Sequence, residues 1–224
     1  MIIYLTRHGQ PALENMPKGA DYELPDGDYV LTPQGREQAR CLGECLKQKN
    51  FSGKIFSSPY ARTMETASIV AGICGLDVTP EPAIQEMRFD PELPIPGMTL
   101  EELRQNYPNI SSQAELAHPW LVPHGPESKE DVALRVEPFL KKLIADPPAP
   151  EVLLVGHGAS VGATKRFMLA RAEFSGTVGI TWNAALSTFK ISPGGNIEII
   201  KFDDVEFMPV EIITSNKRLY TDPE

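Results

Sequence analysis

Short apolar runs alternate with amphipathic stretches along most of the chain. Met1 to Thr6 is apolar and rich in β-branched residues, the pattern of a buried strand, and it runs into Arg7-His8-Gly9. Gln10 to Val30 mixes Pro, Gly, Asn and Asp with little periodicity, which predicts a long loop of a length that is uncommon unless functional. Thr32-Pro33 reads as an N-cap with proline at the first helical position, and Ala39, Leu42 and Leu46 continue at helical spacing to about Lys49. Lys54 to Ser57 predicts a second strand. After the break at Ser58-Pro59, Tyr60 to Cys74 predicts a helix that Gly75 can cap, which puts Arg62 in its first turn.

A weak strand is expected over Asp77 to Ile84, with Glu86 in the connection that follows, and regular structure pauses through Pro91, Pro94 and Pro96. Thr99 with Glu102 is a capping-box spacing that opens a short helix to about Tyr107. Ser128 with Asp131 repeats that type of signal ahead of Val132, Val136, Leu140 and Leu143, a helix ended by Asp146-Pro147-Pro148. Glu151 to Val155 is the clearest buried strand. It leads through Gly156-His157-Gly158 into a helical stretch from Ala159 to about Ala170, an arrangement suited to cradling phosphate. Strand patterns around Ser187 to Ile191 and Ile197 to Phe202 follow, and Thr214 to Glu224 reads as a polar tail.

Alternating strands and helices predict a three-layer α/β/α sandwich with a mostly parallel central sheet. With no internal repeat in the sequence, one domain over residues 1–213, with 87–127 inserted as a lid and 214–224 as a tail, is the economical organisation. Ligands bind such sheets beyond the carboxyl ends of the strands, where both His8 and His157 are expected. The two histidines can therefore meet.

Composition narrows the field. The 224 residues are 42% hydrophobic and 23% charged, which sets aside fibrous and wholly disordered chains, and a chain of this length buries roughly 70% of its unfolded surface. No apolar run is long enough for a membrane span, and Arg7 and His8 follow the first strand without the pattern of a signal peptide, so a cytoplasmic protein is expected. Thirty acidic against 21 basic residues give a net charge of −9, which argues against nucleic-acid binding and leaves any anionic substrate dependent on a local cluster of arginines. Cys41, Cys45 and Cys74 are odd in number and form no CxxC, so buried free thiols are expected. His118 and His124 lack the neighbours of a metal site, and no cofactor is called for. The oligomeric state is open, a homodimer included.

Arg7-His8-Gly9 alone is short enough to be coincidence, with His8 a satisfied buried histidine, and Gly156-His157-Gly158 is a common kind of turn. Together, Arg7, His8, Arg62 and His157 would bring two guanidinium forks and two imidazoles to one pocket. Leu5-Thr6-Arg7-His8-Gly9, Leu31-Thr32-Pro33-Gln34-Gly35, Ser57-Ser58-Pro59-Tyr60-Ala61-Arg62, Ile84-Gln85-Glu86, Glu127-Ser128 and Val155-Gly156-His157-Gly158 occur in that order. In this series the chain resembles the histidine phosphatase superfamily, the phosphoglycerate mutase-like fold.

The resemblance implies that His8 is a nucleophile that takes a phosphoryl group, clamped by Arg7, Arg62 and His157. Arginine suits the clamp because its planar fork stays charged and donates paired bonds to oxygen. His8 must offer a bare nitrogen, so its other nitrogen should donate to an acceptor such as a backbone carbonyl. Glu86 occupies the family's acidic position and is the candidate general acid and base, or else an ordinary solvated glutamate among others nearby; Arg88 either pairs with it or meets substrate. Gly9, Gln10, Ser58 and Gly158 are candidates for holding phosphate or substrate, with turn or solvated roles equally open for Ser58 and Gln10.

Mutases of the family carry an acidic residue and an asparagine soon after Arg-His-Gly, and a Tyr-Gly pair after the acidic residue. Gln10-Pro11-Ala12-Leu13 and Glu86-Met87-Arg88-Phe89-Asp90 stand in those places, and Asn15 is not at the matching spacing. The expectation is a phosphomonoester hydrolase acting on a small phosphorylated metabolite, with mutase-type phosphoryl transfer and a non-catalytic phosphate-binding scaffold as alternatives. Phe89, Met98, Trp120 and Leu121 line the lid or merely pack it onto the core.

Overall fold

Strand β1 (Ile2–Arg7) serves two cores at once. Tyr4 faces one apolar cluster while Ile3 and Leu5 face the other, the period-two alternation of a strand covered on both sides. In the computed structural model, residues 1–12, 28–88, 97–120, 126–172, 174 and 181–214 are described. The further strands are β2 (Lys54–Ser57), β3 (Val78–Pro80), β4 (Glu151–Gly156), β5 (Leu186–Ile191) and β6 (Ile197–Asp204). They form one sheet in the order β3-β2-β4-β1-β5-β6. The first four run parallel, and β5 and β6 complete the sheet antiparallel.

Helices α1 (Pro33–Gln48) and α2 (Ala61–Cys74) cover one face through Leu42, Leu46, Met64 and Val70. Helices α4 (Lys129–Ala145) and α5 (Gly158–Leu169) cover the other through Val132, Val136, Leu140, Phe167 and Met168. The short α3 (Leu100–Asn106) joins the first face through Leu103. The result is the expected three-layer arrangement with a mostly parallel sheet.

Local signals set the helix ends. Thr32 Oγ1 accepts the Gly35 N–H at 2.9 Å, and Pro33 opens α1. Gly75 closes α2 at φ 71°, in the left-handed region where a side chain is costly. Thr99/Glu102 and Ser128/Asp131 both form complete capping boxes. The expected strand over 77–84 is instead a three-residue β3 followed by a 3-10 turn, Pro82–Ile84. Pro82 has no N–H for a ladder, and the Glu81 carboxylate accepts the Ala83 N–H at 2.9 Å, so the chain turns there.

The described residues between 97 and 120 lie on the core. Met98, Leu103, Tyr107, Ile110 and Ala114 join the α1/α2 cluster, and the Tyr107 hydroxyl donates to the Ala61 carbonyl at 3.2 Å. Trp120 is buried and donates its indole N–H to the Met98 carbonyl. Met98 and Trp120 therefore act in packing, while Phe89, Leu121, His124, Asn15 and the tail from 215 lie outside the described residues. His118 is exposed. All three cysteines are free thiols and half-buried rather than buried, since α1 and α2 leave their edges partly open. Among the described residues no helix is long and apolar enough to cross a membrane.

The turn after β1 meets α1 backbone to backbone. A Cβ on Gly35 would lie 2.2 Å from the Gln10 carbonyl oxygen, whereas one on Gly72 of α2 would meet the Asn109 side chain at an ordinary 3.9 Å. Glycine inside a helix normally costs about 0.5–1 kcal/mol relative to alanine. Gly72→Ala is therefore expected to stabilise the chain by about that amount in urea unfolding, and Gly35→Ala to destabilise it and weaken activity as the Gln10 turn is pushed away.

Candidate active site

Parallel register brings the site together. Arg7 at the end of β1 lies beside Gly156 at the end of β4, and Ser57 at the end of β2 lies beside Val155. The residues just beyond remain coupled: the His8 N–H donates to the Gly156 carbonyl and the Ser58 N–H to the Val155 carbonyl, each at 3.0 Å. His8, Ser58 and His157 thus emerge side by side at the carboxyl edge, as the topology requires. The His8 and His157 rings have centroids 5.2 Å apart.

Each imidazole has one nitrogen committed. His8 Nδ1 lies 2.7 Å from the Gly9 carbonyl oxygen, so that nitrogen carries the proton as donor and Nε2 is left with its lone pair. His157 Nε2 lies 2.8 Å from Ser58 Oγ, whereas His157 Nδ1 is buried without a hydrogen-bond partner and sits 3.9 Å from Glu86 Oε2. Arg62 Nη1 is likewise buried without a hydrogen bond. Buried nitrogens without hydrogen bonds are costly, and two of them in one site suit the binding of an oxyanion, to which Arg62 Nη1 donates and to which His157 Nδ1 donates when the Ser58 hydroxyl donates to Nε2.

The cations shape the imidazoles. Burial, then the charges of Arg7 and Arg62, hold His8 well below the ordinary imidazole range, against an opposing hydrogen bond to Gly9. Burial, then Arg62, His8, Arg7 and Arg135, do the same to His157. Both rings are neutral at pH 7.

Several supporting residues escaped the sequence reading. Asp28, fully buried, accepts the Ala61 N–H at 3.0 Å with both carboxylate oxygens and lies 3.6 Å from Arg62 Nη1. It caps α2 from a distant loop, where the N-cap residue Tyr60 supplies no side-chain bond. Burial pushes the Asp28 carboxyl up to about 6, although Arg62 and the backbone donors pull it down. Thr66 donates to the Arg62 carbonyl at 2.7 Å and accepts the Gly9 N–H at 3.1 Å, tying the clamp to the histidine turn. Asn183 donates to the His8 carbonyl at 3.0 Å. Arg7 Nη1 donates to the Thr181 carbonyl at 3.3 Å, and the Thr181 hydroxyl accepts from Lys165, which pairs with Asp203. Thr66 stands one helical turn after Arg62 and could have been found by spacing; Asp28 lies among other acidic loop residues, and Asn183 has no local pattern.

The remaining candidates divide. Glu86 Oε1 accepts the Met87 N–H at 2.8 Å and the Ala159 N–H of α5 at 3.3 Å, which places the carboxylate at the rim beside His157. Gly158 opens α5 with free space around its Cα. Gly9 meets Gly35 backbone so closely that a Cβ there would lie 2.4 Å from its carbonyl oxygen. Gln10 is drawn into the scaffold: its side-chain oxygen accepts the Thr32 hydroxyl at 2.8 Å, and its N–H donates to Gln38. Tyr60 forms a wall, edge-on to His157 and Trp120, with the Arg62 guanidinium 4.7 Å from its ring centre.

Residues 3–203 match the family described as the histidine phosphatase superfamily (branch 1). The chain belongs to that superfamily. Membership makes it an enzyme of the histidine phosphatase class. It is 29% identical over 168 residues to the probable phosphoglycerate mutase GpmB of Photorhabdus laumondii, with 71% of each chain covered. The fold is similar to that of the ecdysone phosphate phosphatase of Bombix mori, solved with tungstate, at TM-score 0.65 and 18% identity over 89% of this chain and 92% of that one. It is also similar to that of mycobacterial glucosyl-3-phosphoglycerate phosphatase, solved with inorganic phosphate, at TM-score 0.60 and 23% identity over 93% and 99%.

Two imidazoles held neutral make stability depend on pH. Unfolded histidine protonates below about pH 6.5 while His8 and His157 do not, so their contribution is complete above that pH and is lost on acidification. Each imidazole adds a slope of about 1.4 kcal/mol per pH unit. Asp28 acts in the opposite sense below about pH 6, because its folded carboxyl binds a proton more readily than the unfolded one. Urea-unfolding free energy is expected to fall between pH 7 and 5.5, and to fall less in His8→Asn. Equal slopes in the two proteins would contradict a neutral buried His8.

Proposed function

We propose that this protein is a phosphomonoester hydrolase that works through a phosphohistidine on His8 and acts on a small phosphorylated metabolite. The observation that carries this reading is a pair of buried nitrogens without hydrogen bonds, Arg62 Nη1 and His157 Nδ1, beside a His8 whose Nδ1 is engaged by the Gly9 carbonyl.

With Nδ1–H donating to Gly9, His8 Nε2 attacks phosphorus in line with the ester oxygen. The N–P bond forms as the P–O bond to the alcohol breaks. Glu86 delivers its proton to that departing oxygen, so the alcohol leaves neutral. Arg7, Arg62 and His157 Nδ1–H donate to the equatorial oxygens, and such positioned charge accounts for most catalysis in phosphoryl transfer. Ser58 Oγ–H donates to His157 Nε2 and thereby keeps the proton of His157 on Nδ1, facing the oxyanion. Ser58 then serves phosphate through His157. The ionised Glu86 next takes a proton from water as water attacks phosphorus, the N–P bond breaks, and His8 and Glu86 return to their starting states.

Hydrolysis is favoured over transfer to a second hydroxyl because Gln10-Pro11-Ala12-Leu13 and Glu86-Met87-Arg88-Phe89-Asp90 replace the features that mutases of the family share. Similarity in fold to two proteins named as phosphatases agrees with that preference. The relative named as a probable phosphoglycerate mutase keeps mutase-type transfer as the second reading.

A panel of phosphomonoesters, followed for both free phosphate and isomerised product, separates the readings. Free phosphate without isomer is expected; isomer as the main product would establish the mutase, and no turnover of any ester would leave a binding module. Arg62→Lys is expected to lower kcat/KM on the order of a hundredfold despite its charge, since the fork is lost. Near-wild-type rates in that variant would remove the clamp.

A further inference from the structure

We propose that the buried ion pair between Arg135 and Glu127 positions Glu86 for proton transfer, an inference that rests on the reading of Glu86 as the acid. Arg135 projects from α4, on the opposite side of the sheet from Arg62, and its side chain is 6% exposed; that of Glu127 is 1% exposed. Arg135 Nε donates to Glu127 Oε1 at 2.7 Å and Nη2 to Oε2 at 3.2 Å, a two-pronged pair.

The same guanidinium holds the backbone that carries Glu86. Nη1 donates to the Ala83 carbonyl at 2.7 Å, and Nη2 to the carbonyl of Glu86 itself at 3.1 Å. Glu127 grips the other side of that residue: its Oε2 accepts the Arg88 N–H at 3.0 Å, and its own N–H donates to the Arg88 carbonyl at 2.8 Å. Residues 83, 86 and 88 are thus fastened to one fork and its carboxylate. The segment after the 3-10 turn is irregular, so no helix or strand ladder fixes it.

A buried ion pair is a poor source of net stability, because desolvation offsets most of its attraction. The planar fork does, however, set the distances to two carbonyls and one carboxylate at once, which a lysine cannot do. Proton delivery is sensitive to displacements of about 1 Å. The hydrogen bonds that Arg135 and Glu127 make here go to each other and to the backbone of residues 83, 86 and 88, not to an imidazole, although the Arg135 charge also helps to lower His157. They act through the main chain of Glu86, whose carboxylate is held at its far end by the Ala159 N–H.

A purely structural role and a positioning role differ in their dependence on the leaving group. The parameter kcat/KM reports phosphoryl transfer to His8, for which p-nitrophenyl phosphate needs little proton delivery and a simple alkyl phosphate needs much. Arg135→Lys is expected to lower kcat/KM about tenfold or more for the alkyl ester and less than about threefold for p-nitrophenyl phosphate. Glu127→Gln, which keeps the shape of the side chain and an acceptor for the Arg88 N–H, is expected to shift the ratio in the same direction and serves if Arg135→Lys does not fold. In a Glu86→Gln background neither substitution should change the ratio further. If Glu86→Gln itself leaves the alkyl-to-aryl ratio unchanged, the acid reading fails. If Glu86→Gln shifts the ratio while Arg135→Lys and Glu127→Gln slow both esters equally, the positioning inference is overturned and the acid reading stands.

Discussion

Two guanidinium cations share a buried volume with two imidazoles, and the rest of the structure follows from keeping that arrangement intact. Burial first, and the charges of Arg7 and Arg62 after it, depress the proton affinity of His8 and His157, so the rings stay neutral and the positive charge stays on the forks. A neutral His8 has a lone pair to offer, and undiminished guanidinium charge awaits an anion. Asp28 is the internal counterweight. Its carboxylate lies 3.6 Å from Arg62 yet is raised to about 6 by burial, so it holds the clamp and the start of α2 without filling the anion's place.

Such a cluster needs a stiff frame, and the parallel half of the sheet provides one. β1, β2 and β4 end in register, so three consecutive turns carry His8, Ser58 and His157 to the same edge. The turns are then cross-tied: Thr66 joins Arg62 to Gly9, Asn183 holds the His8 carbonyl, and the Arg135–Glu127 pair holds the backbone of Glu86. Gly9 and Gly35 allow the nucleophile turn to lie against α1 with no side chain between. Fold and chemistry are therefore coupled through hydrogen bonds from polar side chains to the backbone of these turns.

Much of this was legible in the sequence because it is written in local patterns. Capping boxes at Thr99 and Ser128, the Thr32-Pro33 helix start, Gly75 as a stop and the apolar run before Gly156 each state their structure within a few residues. The positions of Arg7, His8, Arg62 and His157 followed from strand ends and topology. Tertiary contacts made by single polar residues were not legible. Asp28 caps a helix 33 residues away, and Arg135 reaches carbonyls 52 and 49 residues back, distances that leave no trace in periodicity. The strand expected over 77–84 failed for a different reason: the apolar pattern continued, but Pro82 and the Glu81 side chain imposed a turn. The bond from the Thr32 hydroxyl to the side-chain oxygen of Gln10 was likewise not legible, since only the folded α1 brings the two near.

The chemistry of the site is decided by where a phosphoryl group rests between the two halves of the reaction. Mixing the protein with a turned-over phosphomonoester, quenching in alkali within milliseconds and mapping the phosphorylated peptide by mass spectrometry addresses that point directly. Phosphate bound through nitrogen on His8, absent from His8→Ala and discharged on a longer delay before quenching, is the predicted result. Phosphate on another residue, or full turnover by His8→Ala, would contradict it.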